Sequence, residues 1–288
     1  MLTKTVSEFS IDSYKFHVAS PGYVDCFVKN GFVVAKEVFD PGLIAEIYNF
    51  ISTKYLGYKG RLASKFPGRE LPVLGMGKHI MSELKSEGLF EKLISSPQLL
   101  DALEKLLGPD LAMPNTPCLW INDKDDPSIV TNKSLHQEAW TGLGADDITV
   151  WIPYHETKAD TTMSVVPGSH YYGFFPNQNR KILYPDGFEM PDSLSLAPLK
   201  PGCAVLFHSL LLHETSGRGE DIRYATSFPV KNTLSPATRQ QQTFGCIPLK
   251  NGPMSEIRTV LGNDFLSPLR TFGGQISNDQ NFHPSELE

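Results

Sequence analysis

Ile148-Thr149-Val150-Trp151-Ile152 is a short run of β-branched and aromatic residues, the composition that suits a pleated, buried strand. Three comparable runs follow: Met163-Ser164-Val165-Val166, Ala204-Val205-Leu206-Phe207 and Tyr224 to Val230. Clusters of Gly, Pro, Asp and Asn separate them. Short strands at modest spacing predict a sandwich or jelly roll, not alternating βαβ units.

Working outward, the first hundred residues read as mixed helix and strand. Tyr23 to Lys29 is expected to form a short helix stopped by Asn30-Gly31, followed by a strand at Phe32-Val33-Val34-Ala35. Asp40-Pro41 is an N-cap followed by proline at the first helical position, opening a helix to about Thr53. Ser96-Pro97 repeats that opening. Its helix places Leu99, Leu100, Leu103, Leu106 and Leu107 mostly on one side before Gly108-Pro109 ends it. The expected plan is mainly β with flanking α-helices: a helical lead-in over about 1–110, a β core over about 111–230 and an extension over 231–288. With no linker to cut it, the chain reads as a single domain.

Of the 288 residues, 40% are hydrophobic and 20% charged, enough for a sizeable core. The net charge of −6 argues against sequence-independent nucleic-acid binding, which needs a basic face, and gives no attraction to anionic membranes. Met1 to Phe16 carries Lys4, Glu8, Asp12 and Lys15, with no apolar run of signal-peptide length. No apolar stretch reaches the roughly 20 residues of a membrane span. Cys26, Cys118, Cys203 and Cys246 are scattered, a spacing that suits neither a disulfide framework nor a zinc site. Reduced thiols and a cytoplasmic location are expected.

Chemistry concentrates in Ser134-Leu135-His136-Gln137-Glu138-Ala139-Trp140. On an extended backbone residues i and i+2 point to the same side, so His136 and Glu138 would present an imidazole and a carboxylate to one point. With a second imidazole this is the 2-His-1-carboxylate set of non-haem iron(II) oxygenases. Alone, an HxE triplet arises by chance in a chain with eight histidines. The second stretch, Leu206-Phe207-His208-Ser209-Leu210-Leu211-Leu212-His213, supplies the missing imidazole. Ten residues on, Arg223 opens an apolar strand. A guanidinium buried there needs a carboxylate, and its planar fork matches one through two parallel bonds.

The order HQE, WIP, VVPGSH, the Phe207 to His213 segment and a downstream Arg resembles the phytanoyl-CoA dioxygenase family, over roughly Ala112 to Val230. Its most specific piece is Ser164-Val165-Val166-Pro167-Gly168-Ser169-His170. The resemblance implies a double-stranded β-helix (jelly-roll, cupin-like) core with Fe(II) at its mouth and 2-oxoglutarate deeper, and dioxygen as the other cosubstrate. By position, His136, Glu138 and His213 match the metal ligands and Arg223 the cosubstrate arginine. Thr215 matches a hydroxyl residue that helps hold the same carboxylate, and Trp151 an aromatic beside the cosubstrate. The family's usual carboxylate is Asp, so Glu138 is a departure that shifts the ligating oxygen by a methylene.

His208 is the rival distal ligand, but mid-strand among Leu206, Phe207 and Leu210 it reads better as a core histidine; His155 and His170 are ambiguous, with a structural turn favoured for His170. Tyr171, Tyr172, Phe174 and Phe175 fit either a pocket wall or core packing. Lys78-His79 reads as a loop within reach of the site or in solvent. The resemblance implies hydroxylation of a small metabolite with release of succinate and carbon dioxide; a jelly-roll isomerase or lyase and a non-catalytic binding module are the alternatives. A small polar substrate, such as a sugar derivative or amino acid, is expected, with an acyl thioester as the alternative.

Overall fold

The computed structural model describes residues 10–68, 71–113, 117–125, 134–178, 181–215, 221–233 and 247–253. The helices are α1 (Tyr23–Asn30), α2 (Pro41–Lys65), α3 (Val73–Ser86), α4 (Leu89–Ile94) and α5 (Pro97–Leu107). The early strands are β1 (Lys15–Phe16), β2 (Phe32–Ala35), β3 (Leu111–Met113), β4 (Cys118–Asn122), β5 (Ile148–Pro153) and β6 (Met163–Val165). After them come β7 (Asn177–Gln178), β8 (Lys181–Ile182), β9 (Leu194–Ser195), β10 (Ala204–His208), β11 (His213–Thr215), β12 (Arg223–Asn232) and β13 (Ile247–Lys250).

The main sheet runs β1-β2-β10-β5-β12-β3-β13, with β4 on the first half of β12. A second sheet runs β11-β6-β9, and β7-β8 is a separate pair. Among the described residues neither sheet closes into a barrel. The five strands expected from the sequence are β2, β5, β6, β10 and β12. Lead-in and extension are not set apart from this sheet. β2 pairs with β10 through Phe32 opposite Phe207, and β13 pairs with β3.

Helix α1 ends at Gly31, whose φ of 78° suits glycine. A Cβ there would lie 2.5 Å from His170 Nδ1, so the turn also lets the VVPGSH segment pack close. Asp40 caps α2, its side chain accepting from Leu43 N. That helix passes the expected end at Thr53 and reaches Lys65. Tertiary anchors carry it on: Tyr55 is fully buried and its hydroxyl donates to Asp123 at 2.7 Å, while Lys59 pairs with Asp123 and Asp125. Lys78 and His79 are on α3, not in a loop, and point to solvent. On the opposite side of that helix Gly77 meets β4, where a Cβ would lie 2.7 Å from the Leu119 carbonyl. No helix among the described residues is long and apolar enough to cross a membrane.

Candidate metal centre

The HQE triplet is extended where it matters, Gln137 having φ −118° and ψ 141°, before Glu138–Thr141 turns into a short 3-10 helix. His136 and Glu138 therefore share a side, and Gln137 points the other way into full burial. Its amide donates to the carbonyls of Gly173 and Leu210 and accepts from Phe175 N–H, tying three segments together. A buried amide must be satisfied, which explains a polar residue between two site residues. The sequence reading assigned it nothing.

His213 reaches His136 through a two-residue antiparallel bridge. His136 N–H donates to the His213 carbonyl at 2.9 Å, and His213 N–H to the His136 carbonyl at 3.0 Å. The rings lie 4.1 Å apart. His136 Nδ1 sits 2.8 Å from the Ser134 carbonyl and His213 Nδ1 sits 3.0 Å from the Leu211 carbonyl. A carbonyl only accepts, so in the neutral rings both protons are on Nδ1 and each Nε2 carries the lone pair, the form in which an imidazole ligates a metal. Those Nε2 atoms are 3.6 and 3.4 Å from one Glu138 carboxylate oxygen. All ligating atoms lie within 4.8 Å of one another. Three acceptors facing one point repel each other unless a cation sits among them, and this nitrogen–oxygen donor set suits iron(II).

One cavity is lined by His136, Glu138, His213, Thr215, Trp151 and Arg223, together with Trp120, Met163, Phe207 and Ser227. The sequence thus named six of its ten lining residues, and the structure brings all six together. Main-sheet strands supply Trp120, Trp151, Phe207, Arg223 and Ser227; the second sheet supplies Met163, His213 and Thr215. The two sheets meet across this space. Arg223 is 1% exposed, and no carboxylate among the described residues pairs with it. It donates to the Thr161 carbonyl at 3.3 Å, its Nε has no acceptor, and burial pushes its pKa down to about 10. Its guanidinium lies 5.9 Å from the Trp151 ring centre.

His208 is not in the ligand group. Its Nδ1 accepts from Leu210 N–H at 3.1 Å, and its ring packs against Phe27 and His170. His170 faces the Val28 carbonyl through Nε2 and does not line the cavity. His155 is half-buried beside Tyr48 and Tyr224. Among the aromatics, Phe175 is buried in a small cluster with Val166 and Leu212, while Tyr171, Tyr172 and Phe174 are exposed; none of the four lines the cavity.

Two imidazoles and a carboxylate converging inside a sheet-rich fold form the arrangement that non-haem iron oxygenases use. The chain belongs to the phytanoyl-CoA dioxygenase family, whose model matches residues 27–225. No curated protein matches it. Among solved structures it is similar to the non-heme monooxygenase ThoJ (apo form) at 18% identity and TM-score 0.58, over 80% of this chain and 84% of that one. It is also similar to the epimerase SnoN in complex with Fe3+, alpha ketoglutarate and nogalamycin RO, at 17% identity and TM-score 0.54, over 80% and 92% of the two chains. A third is AviO1 from Streptomyces viridochromogenes Tue57, at 15% identity and TM-score 0.52, over 75% and 96%. At such identities the likeness is one of fold.

Proposed function

We propose that this chain is an iron(II)- and 2-oxoglutarate-dependent dioxygenase that hydroxylates a small metabolite, releasing succinate and carbon dioxide. The observation that carries the reading is a single cavity with two complementary parts. It holds a His–Glu–His group with both imidazole lone pairs facing the carboxylate. It also holds a buried guanidinium that has no carboxylate partner among the described residues. A buried, unneutralised guanidinium is costly, and a carboxylate ligand offsets that cost. A dicarboxylate serves both parts at once.

His136 Nε2, Glu138 and His213 Nε2 would hold the iron, their Nδ1–H bonds fixing ring orientation. Arg223 would grip the distal carboxylate of 2-oxoglutarate through its planar fork, with Thr215 as second donor and Trp151 walling the chain. Bound iron, 2-oxoglutarate and dioxygen supply the oxidation itself, while the protein contributes position and a water-poor cavity. Phe207, 4.6 Å from His213 ring to ring, shields one side. We read the two facing sheets as the halves of a double-stranded β-helix, and the whole chain as one unit because β2 and β13 complete the sheet of the core.

The test is an anaerobic titration of the iron(II)-loaded protein with 2-oxoglutarate, followed by a metabolite screen for stimulated succinate release. A metal-to-ligand charge-transfer band that saturates is the expected result. Bound iron with no band at any 2-oxoglutarate concentration would remove the cosubstrate assignment.

A further inference from the structure

Two polar residues of the cavity wall have no role in the reading above: Trp120 on β4 and Ser227 on β12. The Trp120 indole N–H donates to Ser227 Oγ at 2.7 Å. Indole only donates, so the hydroxyl accepts there and keeps its own proton for another partner. Side chains alternate along a strand, which puts Arg223, Ala225 and Ser227 on one face of β12. Ser227 stands directly opposite Trp151 in the β12–β5 register, and Ala225 between it and Arg223 carries only a methyl group.

This wall of the cavity carries more donors than acceptors. Arg223 Nε and Trp151 Nε1 are both buried without an acceptor, and the Ser227 proton adds a third. Both buried side chains are more than nine-tenths removed from solvent, Arg223 at 1% and Trp151 at 3% exposure. A ligand that lies against this wall must bring acceptor atoms, because unsatisfied buried donors are destabilising.

We propose that Ser227 is a further cosubstrate-binding residue, its hydroxyl donating to a carboxylate oxygen of 2-oxoglutarate, and that Trp120 is its positioning residue. The inference rests on the cosubstrate reading above. The experiment follows the charge-transfer band while 2-oxoglutarate is titrated into anaerobic, iron(II)-loaded protein. Ser227→Ala should raise the midpoint about tenfold, the loss expected for one hydrogen bond to a charged group. Ser227→Thr, which keeps the hydroxyl, should restore it to near the wild-type value. Trp120→Phe keeps a ring but loses the N–H, and should raise the midpoint about threefold. Because Trp120 acts through Ser227, the double variant should be no weaker than Ser227→Ala alone.

Iron affinity without cosubstrate should be unchanged in every variant. Should the alanine variant not fold, Ser227→Cys, with a weak donor of similar size, takes its place. An unchanged midpoint in Ser227→Ala overturns the proposal. So does a loss of iron affinity that parallels the midpoint shift, which would mark general damage. Additive effects in the double variant overturn the role given to Trp120. If the wild-type protein itself gives no band, the cosubstrate reading fails, a result distinct from a wild-type band whose midpoint Ser227→Ala leaves unmoved.

Discussion

Two pairs of histidine rings lie close together in this structure, and they differ in nearly every respect that matters for chemistry. His136 and His213 are 4.1 Å apart, with both Nδ1 atoms committed to carbonyls and both Nε2 atoms turned to Glu138. His170 and His208 are 5.3 Å apart. In that pair His208 Nδ1 accepts a backbone N–H, and His170 Nε2 faces the Val28 carbonyl and so carries its proton. The lone pairs do not converge, and neither ring pairs with a carboxylate among the described residues. Burial, with the neighbouring His170 adding to it, pushes the His208 pKa down to about 4. Nearness of imidazoles does not make a metal site; lone-pair direction and a shared carboxylate do.

The largest effect expected from breaking this contrast is on the metal. His136→Ala or His213→Ala should lower iron affinity more than about a hundred-fold, beyond the 10–100-fold that loss of an outer hydrogen-bond partner costs. His208→Ala should leave it intact. Metal analysis after dialysis checks this, and the reverse pattern would move the distal ligand to His208.

Glu138→Ala should come next, since it removes the only carboxylate of the group and with it most of the iron retained by the wild type. Glu138→Asp restores the family's usual ligand type and should keep part of both binding and turnover. Full iron occupancy in the alanine variant would exclude Glu138 as a ligand.

The other part of the cavity gives a smaller effect on a different observable. Arg223→Lys keeps the charge but loses the planar fork, and should weaken 2-oxoglutarate binding roughly ten- to a hundred-fold with iron affinity unchanged. A purely structural arginine would instead lower the melting temperature and leave the titration midpoint where it was.

The smallest effect belongs to the second histidine pair. The folded-state pKa of His208, near 4, lies below the ordinary histidine value of about 6.5. Between those values the unfolded chain binds more protons than the folded one. Stability from this group is therefore complete above about pH 6.5 and falls as pH drops towards 4. His155 and His170 are lowered in the same direction by burial. Thermal melts of His208→Asn should show a shallower acid slope than the wild type, with the iron site unaffected. An unaltered slope would assign the acid sensitivity to other groups.

What could be read from the chain was whatever depends on near neighbours. The β-branched runs became β5, β6, β10 and β12, and the Asp40-Pro41 and Ser96-Pro97 openings began α2 and α5. Helix α2 outran its expected end because Tyr55 and Lys59 are held by Asp123, 68 and 64 residues away in sequence. Helix α3 was missed for a related reason: its buried stripe runs through Val73, Met76, Ile80 and Leu84, but two glycines lie within it. Gly77 weakens local propensity and is needed for the close approach to Leu119.

The same division runs through the site. By itself the sequence determined the ligand types, the HQE geometry and the presence of Arg223, because i, i+2 alternation and residue chemistry are local properties. The family resemblance and the mid-strand setting of His208 already favoured His213, and the backbone bridge between His213 and His136, a contact between distant segments, puts that imidazole beside Glu138. Only the tertiary structure decided that Trp120 and Ser227 share the cavity with Arg223, since strand register, not sequence spacing, places β4 and β5 on either side of β12. Register is set by which faces bury together, and that is a property of the assembled sheet.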